Sequence, residues 1–147
     1  MTQEEKDLLV KDLCARLPYG VKVHAKFIDT DTNTEVEKVG VLSMIDTDTV
    51  VAFSSDDTNC YIYVTIHEVK PYLFPLSSMT KVQEDEWDDL YIKPLCERLN
   101  PHTRKEDLML RAKAGYAATF WLMENHFDYL GLIPMGLAKD ATGLNIY

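Results

Sequence analysis

Cysteine, glycine and proline are sparse in this chain of 147 residues, which holds three, six and six of them. Cys14, Cys60 and Cys96 lie far apart, with no CxxC pair and no Cys/His cluster at zinc spacing. That excludes a disulfide framework and a structural zinc module. Reduced, mostly buried thiols are the expectation, as in a cytosolic protein. Six glycines and six prolines are too few for a low-complexity linker. Long apolar runs are missing too: Tyr61–Ile66 falls far short of the ~20 residues that a membrane span needs. The opening MTQEEKDLLVKDL has neither the basic nor the apolar region of a signal peptide. Basic residues are also in deficit, 15 Lys+Arg against 24 Asp+Glu, a formal charge of −9. A general duplex-DNA or RNA binder needs a basic face, so general nucleic-acid binding is not expected. Walker A, GxGxxG, HExxH, GxSxG and the zinc-deaminase signature are all absent, so no motif implies a cofactor, a metal or a catalytic residue.

What is present is a globular composition, 46% hydrophobic and 10% aromatic. A chain of this length buries roughly two-thirds of its unfolded surface, so residues 1–147 read as a single domain. The charge is uneven. Residues 1–100 hold ten basic and nineteen acidic residues, whereas residues 101–147 hold five of each. A seam between a sheet-containing part and a neutral helical tail is expected near 100–103.

Periodicity supplies the elements. Thr2-Gln3-Glu4-Glu5 is a capping box, and Leu9, Leu13 and Leu17 recur every four residues behind it. They predict a helix ended by Pro18 and Tyr19-Gly20. From Val21 the period becomes two, with Val21, Val23, Ala25 and Phe27 on one face and Lys22, His24 and Lys26 on the other. Further strands are expected over 36–45, 49–53 and 60–68, separated by polar turns. The last places Cys60, Ile62, Val64 and Ile66 on one face and Tyr61, Tyr63, Thr65 and His67 on the other. The aromatics suggest that a helix covers this second face as well. Pro71 and Pro75 bracket Tyr72-Leu73-Phe74 as an extended connector. Thr80–Gln83 and Thr103–Glu106 are two more capping boxes, each opening a helix. Pro94 is expected to kink or restart the first, and Gly115 weakens the second. Asp128–Ala138 reads as a short helix or helical turn before an irregular end. The expected fold is α+β: an N-terminal helix, a four-stranded antiparallel meander curled toward a small barrel, and a C-terminal helical layer.

Three constellations invite a functional reading. Asp29, Asp31 and Asn33 start like a calcium loop, but Thr34 and Gly40 stand where such a loop needs glycine and a bidentate glutamate. Hairpin turns favour the same residue types, so no metal is expected. Glu84, Asp85, Glu86, Asp88 and Asp89 surround Trp87 at a helix start. Acidic residues there complement the helix dipole, and they equally suit a docking surface for a basic partner with Trp87 as its anchor. Finally, His24, Lys26, Tyr63 and His67 lie on the strand faces opposite the core stripe. If the strands curl together, they form a polar-aromatic face able to hold a small anionic ligand.

The strings LVKDLCARLPYGVKV, KPYLFPLSSMT and ATFWLMENHFDYLGLIPMGLAKDATGLNIY resemble a group of small, uncharacterised proteins from phages and mobile elements of gut bacteria. The likeness covers both ends and the connector, Leu9–Val23, Lys70–Thr80 and about Trp121–Tyr147. It implies a short accessory protein acting in a bacterial cytoplasm and carries no functional residue across. Together these features favour a non-enzymatic binding protein that engages a host or phage protein. The alternative is a binder of a small molecule or nucleotide messenger, and the third reading is a small hydrolase with a site assembled by the fold. The oligomeric state is not encoded in any motif.

Overall fold

The computed structural model describes residues 1–46, 50–55, 60–96 and 104–147, with 92–96 and 104–112 described by backbone alone. Helix α1 spans Gln3–Arg16. Its capping box is closed: the Glu5 N–H donates to Thr2 Oγ1 at 3.2 Å, and the Thr2 N–H to Glu5 Oε2 at 2.6 Å. Leu9 and Leu13 form its core stripe and are fully buried. Each contributes roughly 1.5–3 kcal/mol by leaving water. A 3-10 turn over Leu17–Tyr19 carries Pro18 in its first turn, and Gly20 at φ +65° hands the chain to the sheet. That left-handed conformation is one in which glycine avoids a Cβ penalty.

Six strands follow: β1 Lys22–Asp29, β2 Thr34–Ile45, β3 Val50–Ser55, β4 Tyr61–Thr65, β5 Val69–Leu73 and β6 Lys139–Asp140. They form one sheet in the order β4-β3-β2-β1-β5-β6, antiparallel except for the parallel β5–β6 pair. The meander β1–β4 is as expected, but the sheet is six-stranded and open rather than a four-stranded barrel. Closure would need β4 to return to the free edge of β1. That edge is taken instead by β5, whose residues His24↔Lys70 and Val23↔Pro71 are in register. The stretch through Leu73 is therefore strand, not connector, and Phe74 bridges to Phe127. Burial of Pro71, Tyr72 and Leu73 outweighs the one ladder bond that proline cannot donate. At the other side of β1, a close approach to β3 needs Gly40: a Cβ there would run into the Ser54 carbonyl and sit 2.8 Å from the Phe53 ring.

One face of the sheet is the core. Val23, Ala25, Leu42, Val51, Phe53, Val64, Ile66, Val69 and Leu73 pack with Leu9 and Leu13 of α1 and with Leu132, Leu137 and Ala138 from the C-terminal segment. Among the described residues, no helix covers the opposite face of β4. Tyr61 and Tyr63 are each 63% exposed, so their spacing marks a solvent-facing row. The thiols depart from expectation in the same way, for Cys14 and Cys60 are both exposed.

Two further helices, α2 Lys81–Cys96 and α3 Arg104–Glu124, pack against each other. The Thr80 box holds, with the Gln83 N–H on Thr80 Oγ1 at 3.3 Å and the Thr80 N–H on Gln83 Oε1 at 2.9 Å. Helix α2 continues through Pro94 rather than restarting, and α3 is unbroken at Gly115, which lies against the Tyr91 ring. The seam expected at 100–103 and the Thr103 box fall outside the described residues. Beyond α3, Asp128–Ala138 is a series of turns rather than a helix. Asp128 fixes them by accepting the Leu132 and Ile133 N–H groups at 2.7 and 2.8 Å. No helix among the described residues is long and apolar enough to cross a membrane.

Candidate functional site

Strand register places the site. On the outer face of the sheet, Lys26 lies opposite Glu37, His24 opposite Val39 and Lys70, and Lys22 opposite Val41. The same row continues through Ser54 to Tyr61, and after the irregularity between Leu42 and Met44 the next row is Met44, Ala52 and Tyr63. The outer face thus has a charged half on β1, β2, β5 and β6, and an apolar-aromatic half on β2, β3 and β4.

The charged half is concave. A hollow of about 360 Å3 is lined by His24, Lys26, Glu35, Glu37, His67, Glu68, Lys70 and Lys139. His24 is buried, its ring edge-on to Tyr72, and its Nε2 meets Glu37 Oε2 at 3.1 Å. Lys26 Nζ reaches Glu35 at 2.9 Å and Glu37 at 3.4 Å. The His24 hydrogen bond, with help from Lys26, holds the Glu37 carboxyl below its usual range. Hydrogen bonding to Glu35, then to Glu37, raises Lys26 in return. One wall is therefore an interlinked network of two carboxylates, one ammonium group and an imidazole.

The other wall is different. Glu68 is committed to a capping box around the 3-10 turn Ile66–Glu68, accepting from the Thr65 N–H at 2.8 Å and Thr65 Oγ1 at 2.9 Å. His67 sits on this turn, not on β4 as its alternation suggested, and the turn swings it toward the β5 side. Lys70 projects from β5, and Lys139 from β6, 5.8 Å from the centroid of the Tyr72 ring. Among the described residues, no carboxylate pairs with Lys70, Lys139 or His67. Burial, then the Glu37 charge, pushes the Tyr72 phenol above its ordinary value.

Of the four residues proposed from sequence, the fold brings His24, Lys26 and His67 to one hollow. Tyr63 lies two strands beyond β2's partner face, on the edge strand, and does not line it. Sequence reasoning missed Glu35, Glu37, Glu68, Lys70 and Lys139. The first two were legible from the β1–β2 hairpin, whose register puts them beside Ile28 and Lys26. Lys70 was hidden by Pro71, and nothing in the sequence brings Lys139 to β5.

The chain matches no family model, no curated protein and no solved structure.

The remaining constellations have local roles. In the Asp29–Thr34 turn, the Asp31 N–H donates to Asp29 Oδ1 at 2.9 Å and the Asn33 N–H to the Asp29 carbonyl at 2.8 Å, with Asn33 at φ +53°. These residues build a hairpin, and no three-residue metal cluster exists among the described residues. On α2, Lys81 pairs with Glu84 at 3.5 Å and Asp85 at 3.0 Å, while Glu86, Asp88 and Asp89 are exposed. Trp87 is turned partly inward and stacks on Tyr91 with ring centroids 5.1 Å apart, which leaves it a poor anchor. A second polar cluster, at the C-terminal end of α1, is structural. Arg16 and Asp12 are both fully buried and joined at 2.8 Å, and Arg16 Nη2 also donates to the Phe127 carbonyl at 2.7 Å.

Proposed function

We propose that this is a non-enzymatic accessory binding protein that presents the apolar-aromatic half of its outer sheet face, along the β4 edge, to an extended segment of a partner protein. The observation that carries this reading is the edge strand itself. Tyr61–Thr65 contains no charge and no proline, and two of its side chains are tyrosines 63% exposed. Natural edge strands are ordinarily blunted by lysine, proline or a cover. A strand of this composition suits the addition of another strand, with tyrosines supplying contact area at low entropic cost. The hollow on the charged half offers a His24–Glu37 pair but no hydroxyl or thiol among its lining residues for that histidine to activate. The resemblance to phage and mobile-element proteins makes a host or phage protein in a bacterial cytoplasm the partner of choice. The acidic stretch Glu84–Asp89 is secondary, because Trp87 is packed rather than offered.

The test is site-specific photocrosslinking in the host cell from a benzoylphenylalanine at position 63. A discrete protein adduct is expected, lost in a Tyr61→Lys variant that keeps its thermal melt. The acidic-helix variant Glu86→Lys with Asp88→Lys is expected to retain it. Absence of any adduct, or one that ignores Tyr61→Lys, overturns the reading.

A further inference from the structure

The hollow on the charged half has an unbalanced distribution of partners. Its eight lining side chains carry three lysines and three glutamates, so their formal charges cancel. The pairing does not. Lys26 takes Glu35 and Glu37, His24 takes Glu37, and Glu68 is spent on the Thr65 N–H and hydroxyl. What remains without a carboxylate among the described residues is Lys70, Lys139 and His67, which come from β5, β6 and the 3-10 turn. Asp140, the acidic neighbour of Lys139, is occupied by the Thr142 N–H at 2.8 Å. Two ammonium groups and an imidazole without carboxylate partners thus line a hollow in a chain whose overall charge is −9. Surface-wide steering does not explain that, since the whole molecule repels anions.

From this we infer that the hollow binds a small phosphomonoester, its phosphoryl group against Lys70, Lys139 and His67. Donors from three separate elements suit a tetrahedral dianion with three free oxygens better than a planar monoanionic carboxylate, for which a single fork suffices. The histidine contributes a ring N–H, and the two ammonium groups contribute charge. The opposite wall sets what the rest of the ligand carries. Glu35 and Glu37 line the hollow as acceptors beside Lys26, so they favour a hydroxyl or amine on the ester's organic part. His24 of β1, in register with Lys70 of β5, lies between the two walls, and about 360 Å3 is at the small end of ligand sites. A phosphorylated amino alcohol or polyol fits this description. The site is independent of the β4 edge, and each can fail without the other.

The experiment is calorimetric titration of the full chain at low ionic strength with four probes: phosphoethanolamine, glycerol phosphate, inorganic phosphate and acetate. Both phosphomonoesters are expected to bind, more tightly than inorganic phosphate, with acetate silent. Lys70→Met and Lys139→Met each lose one charge-assisted contact, so each weakens phosphomonoester binding by roughly tenfold or more. Lys81→Met, on α2 and outside the hollow, leaves it unchanged. Unaltered melting of the two hollow variants separates loss of contact from loss of fold. Glu35→Gln weakens phosphoethanolamine more than inorganic phosphate. The inference is overturned if no phosphomonoester binds, if acetate binds as well as they do, or if the Lys70 and Lys139 variants bind like the parent.

Discussion

Arg16→Met isolates a buried ion pair within α1 whose guanidinium also ties the helix to the C-terminal segment. Arg16 and Asp12 are 0% exposed, and the guanidinium holds both Asp12 Oδ2, at 2.8 Å, and the Phe127 carbonyl, at 2.7 Å. It also lies 5.3 Å from the centroid of the Tyr129 ring. Methionine keeps the apolar stem but strands a carboxylate in the core. Breaking a buried pair by removing one partner typically costs about 3–5 kcal/mol. Replacing both partners, Asp12→Leu with Arg16→Met, removes the stranded charge. The remaining loss is one charge-assisted hydrogen bond to the Phe127 carbonyl, which keeps the Tyr129 N–H at 3.1 Å. That is about 1.5–3 kcal/mol, so the double variant is expected to be more stable than Arg16→Met alone. The pH dependence has a defined sign. Burial, opposed by Arg16, holds Asp12 above its ordinary value of 3.8, and the Asp128 charge adds to the rise. Without Arg16 only the raising influences remain, so the folded state of the variant binds the Asp12 proton more tightly than the unfolded chain does. The penalty of Arg16→Met is therefore largest near neutrality and shrinks as pH falls toward that raised value. Urea unfolding followed by circular dichroism, at pH 7 and at pH 5, measures both effects. A cost below about 1 kcal/mol, or a double variant no better than the single, would refute the reasoning.

Other consequences are equally specific. His126 is buried, stacked on Tyr147 at 3.9 Å, and lowered to about 4 by burial and by Arg16. A base depressed in the folded state loses stability as pH falls from its ordinary 6.5 toward 4, about 3 kcal/mol in total. His126→Asn, which tolerates the left-handed φ of +58°, should flatten that part of a pH–stability curve. Gly40→Ala drives a methyl into the Ser54 carbonyl and should cost more than about 2 kcal/mol in chemical denaturation. Gly115→Ala, by contrast, meets Tyr91 at an ordinary 4.0 Å and should stabilise by about 0.5–1 kcal/mol in the same assay. Tyr147→Phe removes the hydroxyl that accepts the Lys22 N–H at 3.1 Å and donates to the Tyr72 carbonyl at 2.7 Å. A thermal melt should register a loss of about 1–2 kcal/mol.

How much of this could be read from residues alone depended on whether the determining contact was local. Capping boxes at Thr2 and Thr80, the leucine stripe of α1 and the period-two strands act within a few residues, and each was legible. Strand β5 was not, because proline's local preferences pointed to a connector while a distant partner, β1, decided otherwise. The barrel expectation failed for the same reason: closure depends on which strand takes the free edge of β1. Aromatics on the outer side of β4 looked like a second core, yet periodicity reports which residues share a face and not whether anything covers it. The hollow was half visible. His24, Lys26 and His67 shared a polar face by alternation, whereas Lys139 reaches β5 only through the tertiary path of the C-terminal segment. Cys14 and Cys60 were misplaced by a general preference for burial that their positions on α1 and before β4 override.

The pairing order of the sheet also bears on how the chain acquires it. Links β1–β2, β2–β3 and β3–β4 join neighbours in sequence, so loop closure for them is inexpensive and fast. Registers such as Val23↔Pro71 and Tyr72↔Lys139 join residues far apart, and the entropy of closing those loops must be met before the contacts exist. A meander that forms early, followed by late docking of β5 and then β6, is the expected sequence of events. Lys26 and Glu37 are present in the early species, but Lys70 and Lys139 are delivered only by the late strands. Ligand occupancy of the hollow would then act on the last step alone, slowing unfolding while leaving the rate of early meander formation untouched.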